Sequence, residues 1–349
     1  MHLVWNHRRM QPIFSSEICV AEAGSVQLEF MKLSEITGDP SYDKKAQKVV
    51  DILDKARKPY PGLYPTNIDT LSGKFTGGRI SFGAMVDSWY EYLLKQYLLS
   101  NKSVEKFRRM YTESIDGMKK KLVAQSLADP SLFYVGEMDD DASVFYGNFG
   151  HLTCFVPGML ALGAKELGLD EDLDLAKKLM RTCFKLYNNT VTKLSPESVV
   201  FATNADVLDD NGYISPIPAK LRDMPRDSLT IQQGLKDGYF VTKPWYILRP
   251  EVVESLFVLY RITGDELYRD WSWQIFLAIE NYTKTPIAYS AYDNVMRTNQ
   301  HKQWRDSMES FFLGETLKYL YLTFSPSDLI SLDEFVFNTE AHPFRIIKQ

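Results

Sequence analysis

The 349-residue chain is short of cysteine, of histidine and of long apolar runs, and each shortage narrows what it can be. Its three cysteines, Cys19, Cys154 and Cys183, never fall in a CxxC pair, so no zinc pattern arises. The count alone allows one disulfide with a free thiol, or three reduced thiols. No apolar run reaches the roughly 18 residues that a membrane helix needs, and the opening MHLVWNHRRMQPIFSS has no apolar core of an export signal. The reading is a chain with no membrane segment and no leader of its own. A basic stripe is missing too, and with a formal charge of −5 this argues against a nucleic-acid partner. A neutral polar ligand such as a sugar fits. What is present is a 45% hydrophobic composition, enough for a large core.

That hydrophobicity is arranged as repeated helix pairs. Residues 22–50 place Val26, Phe30 and Leu33 on one face, turn at TGDP, and continue as a second amphipathic segment. Residues 251–276 repeat the plan, with the same TGD turn at Thr263 to Asp265. Looser copies start at Asp87, His151 and Glu309, giving five expected pairs. Repeats of an apolar helix followed by a more polar one predict the inner and outer helices of an α/α toroid. Short strands are expected near Val199–Ala202, Gly212–Ile214 and Phe335–Phe337. Two long segments rich in turn formers, Tyr60–Gly83 and Asn204–Pro244, read as loops that wall a cavity.

The chemistry concentrates in Tyr246–Ser255, YILRPEVVES. Pro250 suits a first helical turn, and Glu251 and Glu254 then share a face at the i, i+3 spacing beside Arg249. An acidic first turn also satisfies the helix dipole, so the pattern alone is ambiguous. Its recurrence adds weight: Glu22, Asp87, His151, Glu251 and Glu315 all open first helices of the pairs, with Glu197 and Glu340 in adjoining turns. Converging carboxylates can order water around a hard cation or exchange protons with a sugar. The acidic run Asp139–Asp141 is contiguous, not spaced along a helix face as diphosphate chemistry requires.

YILRPEVVES, MESFFLGETLKYLYLTF, FNTEAHPF, AEAGSVQLEFMKLSEITGDP, DSWYEYLLKQ and HLTCFVPG together resemble the class I α-1,2-mannosidases of glycoside hydrolase family 47, over nearly the whole chain. The resemblance implies an all-α (α/α)7 barrel and an inverting, calcium-dependent removal of α-1,2-linked mannose from high-mannose N-glycans. It implies Glu251 as general base and Asp87 among the catalytic acids. Thr339 would bind Ca2+ through its hydroxyl and backbone oxygens, while Glu22, Glu197, Glu251, Glu254, Glu315 and Glu340 would hold the surrounding waters and substrate. Arg249 would contact the sugar or orient carboxylates, Phe311 would stack beneath the ring, and His151 would lie at the cavity. Cys154 and Cys183 match the family's disulfide, which implies an oxidising compartment of the secretory pathway, endoplasmic reticulum or Golgi, and leaves Cys19 as a free buried thiol. The sequons at Asn101, Asn188 and Asn281 become candidate glycosylation sites. A monomer is expected.

Departures from the family pattern are equally informative. Val86 and Lys193 stand where the family has glycine, and the FExxIRxLGGL motif that carries the general acid is not found. Residues 1–18 read as a non-family segment, and 19–349 as a single catalytic domain shortened at its N-terminus, so that the barrel would be incomplete and the activity weak. A glycan-binding quality-control factor, similar to the degradation-enhancing mannosidase-like proteins, is the competing reading.

Overall fold

A computed structural model describes residues 2–6, 11–204, 216–225 and 227–348. The chain forms two compact units: Met1–Leu122, Glu137–Phe145 and Asp333–Gln349 make the first, Val123–Gly136 and Tyr146–Leu332 the second.

The first unit contains α1 (Val20–Gly24), α2 (Gln27–Thr37), α3 (Ser41–Lys55), α4 (Asp87–Leu99) and α5 (Glu105–Lys121). Every residue of α4 from Ser88 to Leu99 is buried, as expected of a helix enclosed by neighbours, whereas α3 and α5 bury only one face. Even Glu91 and Lys95 are enclosed, and they form an ion pair one turn apart. The segment expected as one helix from residue 22 is broken at Ser25 and Val26. Its apolar face is also not the expected one: α2 buries Gln27, Leu28 and Met31, while Val26 and Leu33 are 40% and 39% exposed. The cause is Gln27, whose amide bridges the break, accepting from Val26 N at 3.0 Å and donating to Ala23 O at 3.1 Å. Burying that satisfied amide rotates the helix away from its most apolar edge.

Tyr60–Gly83, read as a loop, folds as a hairpin instead. Pro65–Asp69 pairs antiparallel with both Glu17–Cys19 and Phe75–Ile80. A cleft of about 390 Å³ near Arg57, Lys58, Phe75, Gly77, Asp140 and Asp141 adjoins this hairpin and contains none of the expected site residues. The strand expected at the C-terminus is present, Phe335–Phe337 pairing with Pro343–Arg345.

The second unit contains α6 (Val156–Leu167), α7 (Asp170–Asn188), α8 (Leu229–Asp237), α9 (Glu251–Thr263), α10 (Glu266–Tyr282) and α11 (Leu317–Thr323). Helices α6 and α9 are the most enclosed, with Val156 to Ala164 and Ser255 to Leu259 all buried. Each Leu or Phe sequestered there contributes about 1.5–3 kcal/mol. Asn148–Gly150, Ser198–Val200 and Phe240–Lys243 form a three-stranded antiparallel sheet, so the strand expected near Val199 exists. The strand expected at Gly212–Ile214 lies outside the described residues. Helix α8 and the strand Phe240–Lys243 occupy part of the second supposed loop.

Four of the five expected helix pairs are present: α2–α3, α4–α5, α6–α7 and α9–α10. The fifth is a π-turn, Phe312–Thr316, leading into the seven-residue α11, with turns rather than a helix after it. Pro326 follows within three residues of the helix end, where a proline disfavours a helical predecessor.

Candidate active site

The second unit gathers most of the expected residues around the mouth of α9. Leu248 adopts φ +67°, a left-handed conformation that is unusual for a branched side chain, and it is fully buried. Thr316, at the end of the π-turn, donates its hydroxyl to the Leu248 carbonyl at 2.7 Å and holds that bend. π-turns recur at functional sites, and so does backbone strain of this kind. Pro250 then stands at the N-cap rather than inside the helix, which makes Glu251 the first helical residue.

Arg249 projects from this bend and grips Glu197. Its Nε lies 2.8 Å from Oε2, and its Nη2 lies 2.8 Å from Oε1, a forked pairing. Glu197 is itself fixed through its backbone, where its N–H donates to Trp245 O and its carbonyl accepts from His151 N. Arg249 Nη1 also approaches Glu251 Oε1 at 3.8 Å, and its guanidinium stands 5.9 Å from the centre of the Phe311 ring.

Glu251 is 9% exposed. His151, at the start of a 3-10 turn that runs into α6, places Nδ1 2.8 Å from Glu251 Oε2. The other ring nitrogen, Nε2, meets the Tyr187 hydroxyl at 2.8 Å. Burial pushes the Glu251 carboxyl up, but the His151 hydrogen bond and the fields of His151 and Arg249 more than offset it and leave its pKa lowered. Glu254, one turn on, receives the Tyr319 hydroxyl at 3.4 Å, and Glu315 sits half-buried within the π-turn. The arrangement can keep a carboxylate ionised in a buried setting, next to a cation and an aromatic face.

The same unit has Cys154 and Cys183 bonded, with Cα atoms 5.9 Å apart, as the resemblance implied. The bridge ties the turn that carries His151 to α7, which carries Tyr187.

Glu22, Asp87, Thr339 and Glu340 belong to the first unit. Glu22 lies on the short α1 and is exposed; Asp87 opens α4 and accepts from Ser88 N at 3.0 Å. Cys19 caps α1 by accepting from Glu22 N at 3.4 Å. It is free, as expected, but half-buried rather than buried, and burial first, then the fields of Glu22 and Asp87, raises its pKa. Thr339 and Glu340 are exposed at the tip of the C-terminal hairpin. That tip is pinned from below: Asn338 Oδ1 accepts from Glu340 N and His342 N, and Asn338 Nδ2 donates to Glu29 Oε1 at 2.8 Å. Tyr92 donates to the same Glu29 oxygen, whereas Glu29 Oε2 is buried with no hydrogen-bond partner among the described residues.

Several supporting residues were not anticipated from the sequence: Tyr187, Tyr246, Leu248, Thr316, Glu29 and Tyr92. Tyr246 begins the YILRPE stretch and could have been noticed there. Tyr187, Glu29 and Tyr92 sit in ordinary helical contexts, Thr316 in the π-turn and Leu248 in the bend before α9, and all reveal themselves only through their partners.

Residues 2–346 match the model of Glycosyl hydrolase family 47. The chain belongs to that family. It is 42% identical to Mannosyl-oligosaccharide 1,2-alpha-mannosidase MNS3 of Arabidopsis thaliana over 93% of this chain and 53% of that protein. It is 41% identical to the human Endoplasmic reticulum mannosyl-oligosaccharide 1,2-alpha-mannosidase over 96% of this chain and 44% of that protein. The chain thus spans about half the length of the curated relatives it matches. Among solved structures, the alpha-1,2-mannosidase from Trichoderma reesei superposes with a TM-score of 0.86 at 31% identity, covering 97% of this chain and 68% of that one. The helix-rich fold with short strands is that of this α/α-barrel family.

Proposed function

We propose that this chain carries the hydrolytic site of a mannosyl-oligosaccharide 1,2-α-mannosidase, cleaving α-1,2-linked mannose from high-mannose N-glycans with inversion. The observation that carries the reading is Glu251, a buried carboxylate kept ionised by His151 and Arg249. A general base for an inverting hydrolysis must be deprotonated and must face a water on the side of the sugar away from the leaving group. Glu251 meets the first requirement through its partners. Arg249 holds Glu197 as a second fixed carboxylate, and the Phe311 ring beside it offers an apolar face of the kind on which a pyranose stacks. Asp87, at the first position of α4, is our assignment for the proton donor to the leaving oxygen.

Calcium is part of this proposal, with Thr339 as its protein ligand. The residues suit a hard cation: Thr339 offers hydroxyl and carbonyl oxygens on an exposed turn, and Asn338 and Glu29 make that turn rigid. Glu22, Glu254, Glu315 and Glu340 are assigned to hold its waters and the substrate hydroxyls. Bound there, calcium would supply coordination to the hydroxyls of the terminal mannose and so fix its orientation. A secretory compartment is the proposed location, in keeping with the Cys154–Cys183 disulfide and with the endoplasmic-reticulum name of the human relative.

The test is release of free mannose from Man-α1,2-Man, with calcium and again after chelation. Release that chelation abolishes and calcium restores is the expected result. Tight binding of a high-mannose glycan with no release would overturn the hydrolase reading in favour of a glycan-binding factor.

A further inference from the structure

Two hydrogen bonds fix the His151 ring, one from each nitrogen, and both are made out of contact with solvent. Nδ1 faces Glu251 Oε2 and Nε2 faces the Tyr187 hydroxyl, each at 2.8 Å, with His151 and Tyr187 both 1% exposed. An ionised carboxylate can only accept, so Nδ1 carries the hydrogen and donates it. Nε2 then accepts the Tyr187 O–H; were the ring protonated, Nε2 would donate to the same oxygen instead. Either way the plane of the ring is the same. Burial, followed by the fields of Tyr246, Glu251 and Glu197, raises the Tyr187 pKa well above its usual value, so the hydroxyl keeps its proton. The rings of Tyr187 and Tyr246 pack against the imidazole with centroids 5.8 and 6.3 Å away. The anchors are firm at both ends: Tyr187 sits one turn beyond the disulfide-bonded Cys183 on α7, and Glu251 is the first residue of α9.

We propose that Tyr187 is a positioning residue: it fixes the plane of His151, and through that ring the rotamer of the Glu251 carboxylate. The rate effect of this arrangement rests on the hydrolase reading above; its geometry does not. Behind metal-ligating imidazoles, loss of such a hydrogen-bonded partner costs about 10- to 100-fold in affinity or activity, and Tyr187 holds the same place behind His151.

Tyr187→Phe keeps the ring and removes only the hydroxyl. It is expected to lower kcat for mannose release about tenfold, with KM within about twofold, because an interaction expressed in the chemical step is lost. In a His151→Ala background the same substitution is expected to add nothing, whereas a merely structural tyrosine would cost the same factor in both backgrounds. Ring-nitrogen NMR of His151, one of five histidines, supplies a readout independent of turnover. The full chain is expected to show a single ring orientation with Nδ1 protonated and Nε2 accepting, and Tyr187→Phe to lose the hydrogen-bond shift at Nε2 and to broaden the ring signals as the plane is released. Unchanged kcat, an additive double-mutant cycle, or an unprotonated Nδ1 in the unsubstituted protein would each overturn the proposal. If the unsubstituted chain releases no mannose, the hydrolase reading alone falls. The NMR pair then decides the positioning role, as it does if His151→Ala fails to fold.

Discussion

The hairpins α2–α3 and α9–α10 share one turn and differ at their entrances. In both, a threonine at the end of the first helix bonds back to the carbonyl four residues earlier, Thr37 to Leu33 and Thr263 to Leu259, each at 2.7 Å. In both, the following aspartate N–H returns to that threonine hydroxyl at 3.2 Å. Both aspartates then accept the N–H two residues on, from Ser41 and from Leu267. The likeness ends one helix earlier. Helix α9 runs unbroken from a buried Glu251, whereas α1 and α2 are separated and Glu22 stays exposed, one helical turn further from its TGD turn than Glu251 is from its own. A turn is built from its own residues and repeats wherever they repeat. A helix entrance is decided by what packs against it: the His151 turn for Glu251, and Ser88 of α4 for Ser25, whose hydroxyls lie 2.6 Å apart.

The comparison is broken most directly at the two carboxylates. Glu251→Gln keeps the shape of the side chain and removes its basicity; the expected outcome is a loss of about 10³-fold in kcat with glycan binding retained. Glu22→Gln, on the exposed α1, is expected to cost about tenfold, through weaker order in the water and hydroxyl shell. Both are read from mannose release and from glycan binding by calorimetry. Similar losses at both positions would show that the buried entrance has no special role, and Glu251→Gln with unchanged turnover would remove it as the base.

A smaller effect follows from the partners of Glu251. Its folded pKa is lowered despite burial, so it is deprotonated, and competent as a base, down to a pH below its ordinary value of 4.5. Activity is therefore expected to fall as pH drops through that lowered value, and Arg249→Met is expected to move this acid limb upward. The same sign governs stability. The favourable interactions of the carboxylate are fully present above pH 4.5 and are lost as pH falls through the folded-state pKa. An acid limb that stays in place in Arg249→Met, with Glu197, Tyr187 and Tyr246 unchanged around it, would assign the depression to His151 alone.

What the sequence reveals follows the same division between local and tertiary causes. The TGD turns, the RPE step, the amphipathic segment that forms α3 and the disulfide partners are legible, because each is set by neighbouring residues or by a family motif. The break at Ser25 is not, since it depends on the buried Gln27 amide bridging Val26 and Ala23. Nor is the left-handed Leu248, which Thr316 holds from 68 residues away. Tyr187 looks like any tyrosine near a helix end until His151 is placed beside it. Long-range partners leave no periodic trace, so the residues that hold Glu251 and Arg249 in place are not legible in the sequence.

The finest test of the comparison lies in its shared part. Gly38 and Gly264 close α2 and α9 in left-handed conformations, with φ of +72° and +66°, and each donates its N–H to the carbonyl four residues back. A Cβ built on either glycine has nothing within 4 Å among the described residues, so alanine meets no clash there and the cost is that of the backbone conformation. Left-handed alanine is disfavoured by about 1–2 kcal/mol, and part of this is offset by the reduced freedom of the unfolded chain, leaving about 1 kcal/mol of destabilisation. Gly38→Ala and Gly264→Ala are therefore expected to lower stability by the same small amount in denaturant unfolding, with turnover unaffected. If the two losses differ by more than about twofold, the turns are not energetically equivalent. The context that separates the entrances would then reach the far end of the helices as well.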